Sequence, residues 1–189
     1  MYYFQVLFNK KSPVMNDLKN ALKVVFLTLF CTAFATANAQ DSTYLAELKQ
    51  KYAQFDYWLG EWSVYKYGTD TLVGHSRIQS ILNGAAIQEH YHAENSKFKG
   101  TSLNKYNQNT QQWEQFWVDN SGLSLLIRGN PVDGNMVMEN EVSTPKGQIF
   151  NRISWMKGED GTVRQIWEQK KSVEADWKKV FDGHYRKKD

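Results

Sequence analysis

Residues 55–62 read FDYWLGEW, and the hydrophobic period of the chain changes within this stretch. Before it, apolar residues recur at steps of three and four from Leu45 to Phe55, which predicts a helix. Beyond Gly60 apolar residues alternate with polar ones, which is the period of a half-buried β-strand. The alternation continues towards the C-terminus without a second helical stretch. We therefore expect one helix followed by an all-β domain.

Turn-forming residues divide the region beyond Gly60 into short, nearly regular segments. Asn83-Gly84 and Asp133-Gly134 are examples of the dipeptides that favour hairpin turns. The spacing predicts about ten sequential strands with antiparallel neighbours. A sheet of this kind protects its edge strands either by packing as a sandwich of two sheets or by closing into a barrel. Short turns without long crossover connections favour the closed barrel. The predicted fold is an up-and-down antiparallel barrel of about ten strands with an N-terminal helix; a β-sandwich is the alternative.

The beginning of the chain has the features of an export leader. Lys19 and Lys23 precede an apolar run over residues 24–34, and a small-x-small cleavage site ends at Ala39. The run is shorter than the roughly 20 residues of a membrane-spanning helix, so we expect no membrane span in the mature form. The prediction is a leader over residues 1–39, with the signal peptide at 15–39 and cleavage after Ala39, and a single β-barrel domain over residues 40–189. The expected location is secreted or periplasmic.

Removing this leader changes what the composition implies. Cys31 is the only cysteine of the chain, so the mature domain has no thiol for a disulfide, a metal site or a nucleophile. The whole chain has a net charge of +3. Lysines of the leader account for it, so the mature domain gives no reason to expect nucleic acid as a partner. Either Met1 or Met15 can be the true start.

Alternation also assigns side chains to the inside of the predicted barrel. The inward residues expected to bind a ligand are Glu89, Tyr91, Trp113, Gln115, Trp117, Asp119, Asn140, Gln165 and Trp167. The last strand is expected to add Trp177, Phe181 and Tyr185 to the interior. Burying an unpaired amide costs about 1–3 kcal/mol and a carboxylate more, whereas an aromatic and amide-lined cavity accepts such groups and is typical of small-molecule sites. The alternative is that several of them lie at the rims or pair with Arg77, Arg128 or Arg152.

The stretch at 55–62 also carries a resemblance to known families. Its end, Gly60-Glu61-Trp62, is similar to the Gly-x-Trp motif of lipocalins and other calycin barrels, where a basic residue of the last strand lies against the Trp; Arg186 is the nearest match. The longer motif FDxWLGxW resembles a secreted bacterial family of unknown function with a calycin-like barrel, and the likeness extends over residues 44–187. It implies a lipocalin-like fold and no particular ligand. Two further stretches contribute to the resemblance: Trp113-x-x-x-Trp117-Val118-Asp119 and Phe181-x-Gly183-x-Tyr185.

These observations predict a secreted, non-catalytic binding protein that holds a small amphipathic or apolar ligand in its lumen, without a cofactor or a metal. One alternative is an enzyme that uses Glu89 and Asp119 as an acid–base pair. Another is a haem-binding barrel that resembles nitrobindins and binds through His184, although alternation turns this histidine outward. His90 and His92 share a strand face, but a zinc site needs a further ligand that the sequence does not place. No serine lies in a nucleophile-elbow motif.

Overall fold

The computed structural model describes residues 20, 22, 23 and 25 and residues 43–188. Apart from those isolated positions, the predicted signal peptide lies outside the described residues, as do Cys31 and the cleavage site after Ala39. The chain divides into two units, residues 1–47 and 48–189, and the strands belong to the second. Within the described part of the chain, no helix combines the length and the apolar character that a membrane crossing requires.

The secondary structure changes from helix to strand where the hydrophobic period changes. Helix α1 covers residues 43–53, and a 3-10 turn follows at Asp56–Trp58. Ten strands follow among the residues that the structure describes. They are β1 (Gly60–Lys66), β2 (Leu72–Ile81), β3 (Ala86–Ala93), β4 (Lys99–Asn107), β5 (Gln112–Asp119), β6 (Ser124–Val132), β7 (Asn135–Thr144), β8 (Gly147–Lys157), β9 (Val163–Lys170) and β10 (Lys178–Lys187).

The sheet closes on itself. Every strand pairs with its neighbours in sequence, and β10 returns to pair with β1 through a ladder that runs from Trp62–Lys187 to Lys66–Gly183. Closure pairs the backbone groups that an open sheet would leave at its edges. The residues described here therefore form a closed, up-and-down antiparallel barrel of ten strands, as predicted, and the sandwich alternative is wrong.

Alternation separates the interior from the outer surface. In β5, Trp113 and Gln115 are buried, whereas Phe116 is 47% exposed. In β7, Met136 is buried and Glu139 lies in solvent. The inward positions predicted for Glu89, Trp113 and Gln115 are confirmed by their burial, because a strand in a closed barrel has one face towards the core and one towards water.

One end of the barrel is filled by the side chains of Phe55, Trp58, Trp62 and Trp155, which we call the aromatic plug. The rings of Phe55 and Trp155 lie 5.0 and 5.5 Å from the ring of Trp58. The indole N–H of Trp62 donates to the carbonyl of Trp58 over 2.9 Å, and the hydroxyl of Tyr57 donates to the carbonyl of Trp155 over 2.7 Å. Trp62 lies near the start of β1 and Trp155 near the end of β8. In an up-and-down barrel these positions share one end, which the plug closes.

Trp177 does not face the interior, and the prediction that it does is wrong. The pairing of β10 with β9 carries a bulge between Lys179 and Phe181. An extra residue shifts the alternation by one, so Phe181 faces inward whereas Trp177 turns outward. There its ring lies 4.3 Å from the guanidinium of Arg152, within the range of a cation–π contact.

The basic residue that packs against Trp62 is Lys187 rather than Arg186. Lys187 pairs directly with Trp62 across β10 and β1, and its ammonium nitrogen lies 5.5 Å from the indole centroid. Arg186 is one residue away in the strand and therefore faces the other side. Its guanidinium lies 4.4 Å from the ring of Tyr65 and bonds Asp70.

Candidate functional site

A cavity of about 200 Å³ lies towards the end of the barrel opposite the aromatic plug. Phe98 and Leu123, from the β3–β4 and β5–β6 turns, mark this open end. The aromatic lining consists of Tyr91, Phe98, Trp117, Trp167, Phe181 and Tyr185. The polar lining consists of Glu89, Gln115, Asp119 and Gln165. The aliphatic lining consists of Leu123, Leu125, Ile153 and Val180.

Glu89 is the buried carboxyl of this cavity, with only 2% of its surface exposed. The hydroxyl of Ser76, on β2, donates to its Oε1 over 2.8 Å. The hydroxyl of Ser102, on β4, donates to its Oε2 over 3.3 Å. The barrel thus flanks Glu89 with one hydroxyl from each neighbouring strand, which holds both carboxylate oxygens in place.

Burial raises the pKa of Glu89 to about 7, because desolvation disfavours the ionised form; the hydrogen bonds from Ser76 and Ser102 oppose the shift without cancelling it. The pKa of Tyr91 is raised to about 12, by burial first and then by the Glu89 carboxylate. Burial and the same carboxylate also raise the pKa of Tyr185. Near neutral pH, Glu89 is therefore present in both its protonated and its ionised form, while both phenols stay neutral.

A chain of side-chain hydrogen bonds extends from Glu89 through the interior. Asn104 donates to the hydroxyl of Ser102 over 2.9 Å, and Gln115 donates to the amide oxygen of Asn104 over 2.7 Å. These groups satisfy one another instead of pairing with arginines. Arg128 and Arg152 face outward and bond Glu114 and Glu168. Mutual pairing explains how a largely apolar interior accepts buried amides.

Two tryptophans of the cavity wall are fixed by hydrogen bonds at their indole nitrogens. Trp117 donates to Oδ2 of Asp119 over 2.9 Å. Trp167 donates to Oδ1 of Asn151 over 3.0 Å. Holding the ring edges in this way leaves the apolar ring surfaces to line the cavity, an arrangement that suits the amphipathic character of tryptophan.

Two glycines, Gly100 on β4 and Gly74 on β2, leave room for the aromatic wall. A Cβ atom at Gly100 would lie 2.0 Å from Cζ2 of Trp117. A Cβ atom at Gly74 would lie 2.4 Å from the hydroxyl of Tyr91. Because both distances are far below van der Waals contact, only glycine lets these rings lie against the barrel wall.

Gly100→Ala is expected to lower the free energy of unfolding by about 1–3 kcal/mol, because the new methyl group displaces the Trp117 ring. Urea denaturation measures the change. In a Trp117→Leu background the same substitution should be at least about 1 kcal/mol less destabilising, because the clashing ring is gone. An equal loss in both backgrounds would show that Gly100 is required for another reason.

Most of the residues predicted to bind a ligand come together at the cavity, and two do not. Trp113 is buried at the closed end, where its indole N–H donates to Gln54 over 3.2 Å. Asn140 faces inward but its amide donates to the carbonyl of Leu126 over 2.6 Å. Neither residue lines the cavity. Those that do are Glu89, Tyr91, Gln115, Trp117, Asp119, Gln165 and Trp167.

Asp119 lies at the open end and acts as a cap for the β5–β6 turn. Its Oδ1 accepts hydrogen bonds from the amide and hydroxyl of Ser121 and from the amide of Leu123. Burial raises its pKa, but these bonds and that from Trp117 outweigh burial and leave the pKa below its ordinary value. Asp119 is therefore an ionised structural group, which gives little support to an acid–base pair with Glu89.

His184 lies on the outer surface of the barrel. It pairs with Tyr65 across β10 and β1, and its ring lies 5.8 Å from the ring of Tyr67. Burial and nearby Arg186 lower its pKa. Since the cavity is on the other face of β10, the geometry gives no support to haem binding in the lumen through His184.

The outer face of β2 and β3 holds the histidines considered as metal ligands. His75 pairs with His92 across these strands, with their rings 5.1 Å apart. Nε2 of His75 lies 2.9 Å from Oε2 of Glu94. Within the residues that the structure describes, no group of three histidine, cysteine or acidic side chains is placed to hold a metal ion.

Ser76, Ser102 and Asn104 belong to the site through the hydrogen bonds that lead to Glu89. The residues predicted from the sequence to face inward do not include them. Alternation within β4 places Ser102 and Asn104 on the same face, and both are buried. The feature of the sequence that indicates these residues is a row of small polar side chains on the strand next to a buried carboxyl group. Recognising it requires the register that sets Glu89 opposite Ser102, which single-strand patterns do not supply.

The sequence matches no protein-family model, and no curated protein is similar enough to match it. The inferences about function therefore rest on the geometry of the cavity.

Proposed function

We propose that this protein is a non-catalytic binding protein, exported from the cell, that holds a small ligand in the cavity of its barrel. The observation that carries the proposal is an open cavity of about 200 Å³ with aromatic walls and the buried Glu89 at its base. A concave, mostly apolar site with a few polar groups is the usual form of a small-molecule site. The resemblance of the FDxWLGxW motif to a secreted calycin-like family supports it further, since barrels of this kind hold one small ligand.

The size of the cavity limits the ligand. Sites for drug-sized molecules have volumes of about 300–1,000 Å³, and an engineered cavity of about 150 Å³ holds one benzene molecule. At about 200 Å³, the present cavity suits one substituted ring or a short branched chain. It is too small for a tetrapyrrole, which adds to the case against haem.

Each part of the lining has a distinct effect on such a ligand. The rings of Trp117, Trp167 and Phe181 supply apolar area, which provides most of the affinity. Glu89 and Gln115 supply hydrogen-bonding groups deep in the cavity. Those groups select among ligands, because a guest that leaves a buried polar group unmatched binds less tightly.

Protein purified from the organism that encodes it should carry a small molecule that native mass spectrometry detects as an added mass. Trp117→Ala should lower the affinity for that molecule at least tenfold, because it removes a large part of the apolar wall. The same protein under denaturing conditions should have the mass of a chain that begins at Gln40, as expected after cleavage of the leader.

Trp177→Ala is the matched control for this experiment. Trp177 is also a partly buried tryptophan, but it lies outside the barrel against Arg152. Its loss should leave binding unchanged. If Trp117→Ala and Gln115→Ala bind the co-purified molecule as the unmodified protein does, the cavity is not the binding site.

A second candidate is an enzyme in which Glu89 acts alone as the acid–base group. The raised pKa of Glu89, about 7, favours it, since a carboxyl with such a pKa can both donate and accept a proton at neutral pH. Against it, the described residues lining the cavity include no serine, cysteine, histidine or lysine to serve as a nucleophile. A substrate whose turnover follows the ionisation of Glu89 and is lost in Glu89→Gln would favour the enzyme.

A further inference from the structure

The charged side chains that line the cavity are both acidic. Glu89 and Asp119 line it, and among the described lining residues there is no lysine, arginine or histidine. Two arginines of the wall strands pair with acidic residues on the outer face: Arg152 bonds Glu168 at 2.9 Å, and Arg164 bonds Asp182 at 2.8 Å. Among the residues that the structure describes, Glu89 is hydrogen-bonded by Ser76 and Ser102 and makes no ion pair with a cation.

The aromatic lining favours positive charge as well. The faces of tryptophan, tyrosine and phenylalanine rings carry negative electrostatic potential, and a cation within about 6 Å of a ring centroid is attracted to it. Six aromatic side chains line this cavity. Elsewhere in this barrel the same contact occurs with the protein's own cations, as between Arg164 and Tyr67 at 3.5 Å.

Resting on the proposed function, we infer that the ligand is a small organic ammonium ion, with its charged nitrogen beside Glu89 and its apolar body between Trp117 and Trp167. The Glu89 carboxylate and the negative faces of the aromatic rings are the groups of the cavity lining that can balance the positive charge of such a ligand. An anionic guest would meet two carboxyl groups without a compensating cation, which is unfavourable in a desolvated site. The volume of about 200 Å³ restricts the cation to one ring or a short chain.

The ionisation of Glu89 makes this inference testable by pH. The groups that face it are Ser76 and Ser102 from the adjoining strands, Tyr91 from its own strand and Tyr185 from β10; Asp119 lies further towards the open end. Both phenols have raised pKa values and Asp119 has a lowered one. Between pH 6 and 8, Glu89 is therefore the one described group of the cavity lining that changes charge, since its pKa is about 7.

Three benzene derivatives of similar size that differ in charge test the inference: benzylamine, benzyl alcohol and benzoate. Isothermal titration calorimetry should give an affinity for benzylamine at least tenfold higher than for benzyl alcohol, with benzoate the weakest. The affinity for benzylamine should rise about tenfold from pH 6 to pH 8, following the ionised fraction of Glu89. Benzyl alcohol should show no such rise.

Glu89→Gln should abolish the preference for benzylamine and its pH dependence while retaining benzyl alcohol. Glu139→Gln, which removes an exposed carboxylate from the outer face of β7, is the matched control and should change neither. If Glu89→Gln does not fold, the pH dependence in the unmodified protein tests the same group without a substitution.

Equal or tighter binding of benzyl alcohol or benzoate would overturn the inference and leave the binding function intact. Binding of benzylamine that is independent of both pH and Glu89 would also overturn it. If none of the three probes binds at millimolar concentration, the ammonium inference fails, and the native mass spectrum of the purified protein separately decides whether the barrel is a binding protein.

Discussion

Trp58→Ala is expected to lower the free energy of unfolding by about 3–5 kcal/mol, the range for removing a large aromatic side chain from a packed core. Trp58 is fully buried. Its ring stacks on Phe55 at 5.0 Å and lies 5.5 Å from Trp155 and 6.4 Å from Tyr185. Removing it leaves a void bounded by rings that are themselves held by the barrel, so the structure cannot collapse to fill the space.

The effect should extend beyond the lost contacts of one ring. The 3-10 turn that contains Trp58 connects helix α1 to β1, and the carbonyl of Trp58 accepts the indole N–H of Trp62. Loosening this turn opens the closed end of the barrel to water. Since most natural domains have a total stability of about 5–15 kcal/mol, this single substitution should remove a large part of it.

Urea denaturation of Trp58→Ala and of Trp177→Ala distinguishes the plug from an exterior tryptophan. Trp177 contacts Arg152 outside the barrel, and its removal should cost about 1 kcal/mol, the size of a cation–π contact near the protein surface. A loss for Trp58→Ala no larger than that for Trp177→Ala would mean that the aromatic plug does not stabilise the barrel.

The features of the fold that follow from local pattern could be predicted from the sequence. The change of period near Gly60, the turn dipeptides and the absence of crossovers determine an up-and-down barrel, because each depends on neighbouring residues alone. The inward rows of β3 and β5 follow from a strict period of two. The same alternation predicts that Glu89 and Gln115 lie inside the barrel, and both are buried.

Features that depend on register or on an irregularity in the ladder could not be predicted. The bulge before Phe181 inverts the direction of Trp177, and nothing in the residues around it marks the extra position. The choice between Arg186 and Lys187 as the partner of Trp62 depends on a one-residue difference in how β10 meets β1. Asp119 alternates correctly, but its capping of the adjacent turn occupies its carboxylate, which alternation does not reveal.

The stability of the ligand-free protein should respond to pH through Glu89. Its pKa is about 7 in the folded protein and 4.5 as an ordinary glutamate. Between these values the folded state holds a proton that the unfolded state has released, so the free energy of unfolding falls as the pH rises. The stabilising contribution is fully present below pH 4.5 and is lost by the time the pH has passed 7. The shift corresponds to about 3 kcal/mol.

Glu89→Gln isolates this contribution, because the amide keeps the shape of the protonated carboxyl and does not ionise. Asp119 and Asp182 have lowered pKa values and contribute a stability change of the opposite sign, so the pH profile of the unmodified protein alone is not diagnostic. Subtracting the two profiles removes these shared groups. Relative to the unmodified protein, Glu89→Gln should gain about 3 kcal/mol between pH 4 and pH 8, whereas Glu139→Gln should show a flat difference.

The same measurement establishes how dry the base of the cavity is. A raised pKa requires that Glu89 ionise in an environment poor in water, which is also the condition under which a carboxylate binds a cation strongly. If the difference between the unmodified protein and Glu89→Gln is flat from pH 4 to pH 8, water reaches Glu89 and the carboxyl behaves as an exposed one. Its attraction for an ammonium ion would then be weak, and the aromatic walls alone would have to account for any affinity.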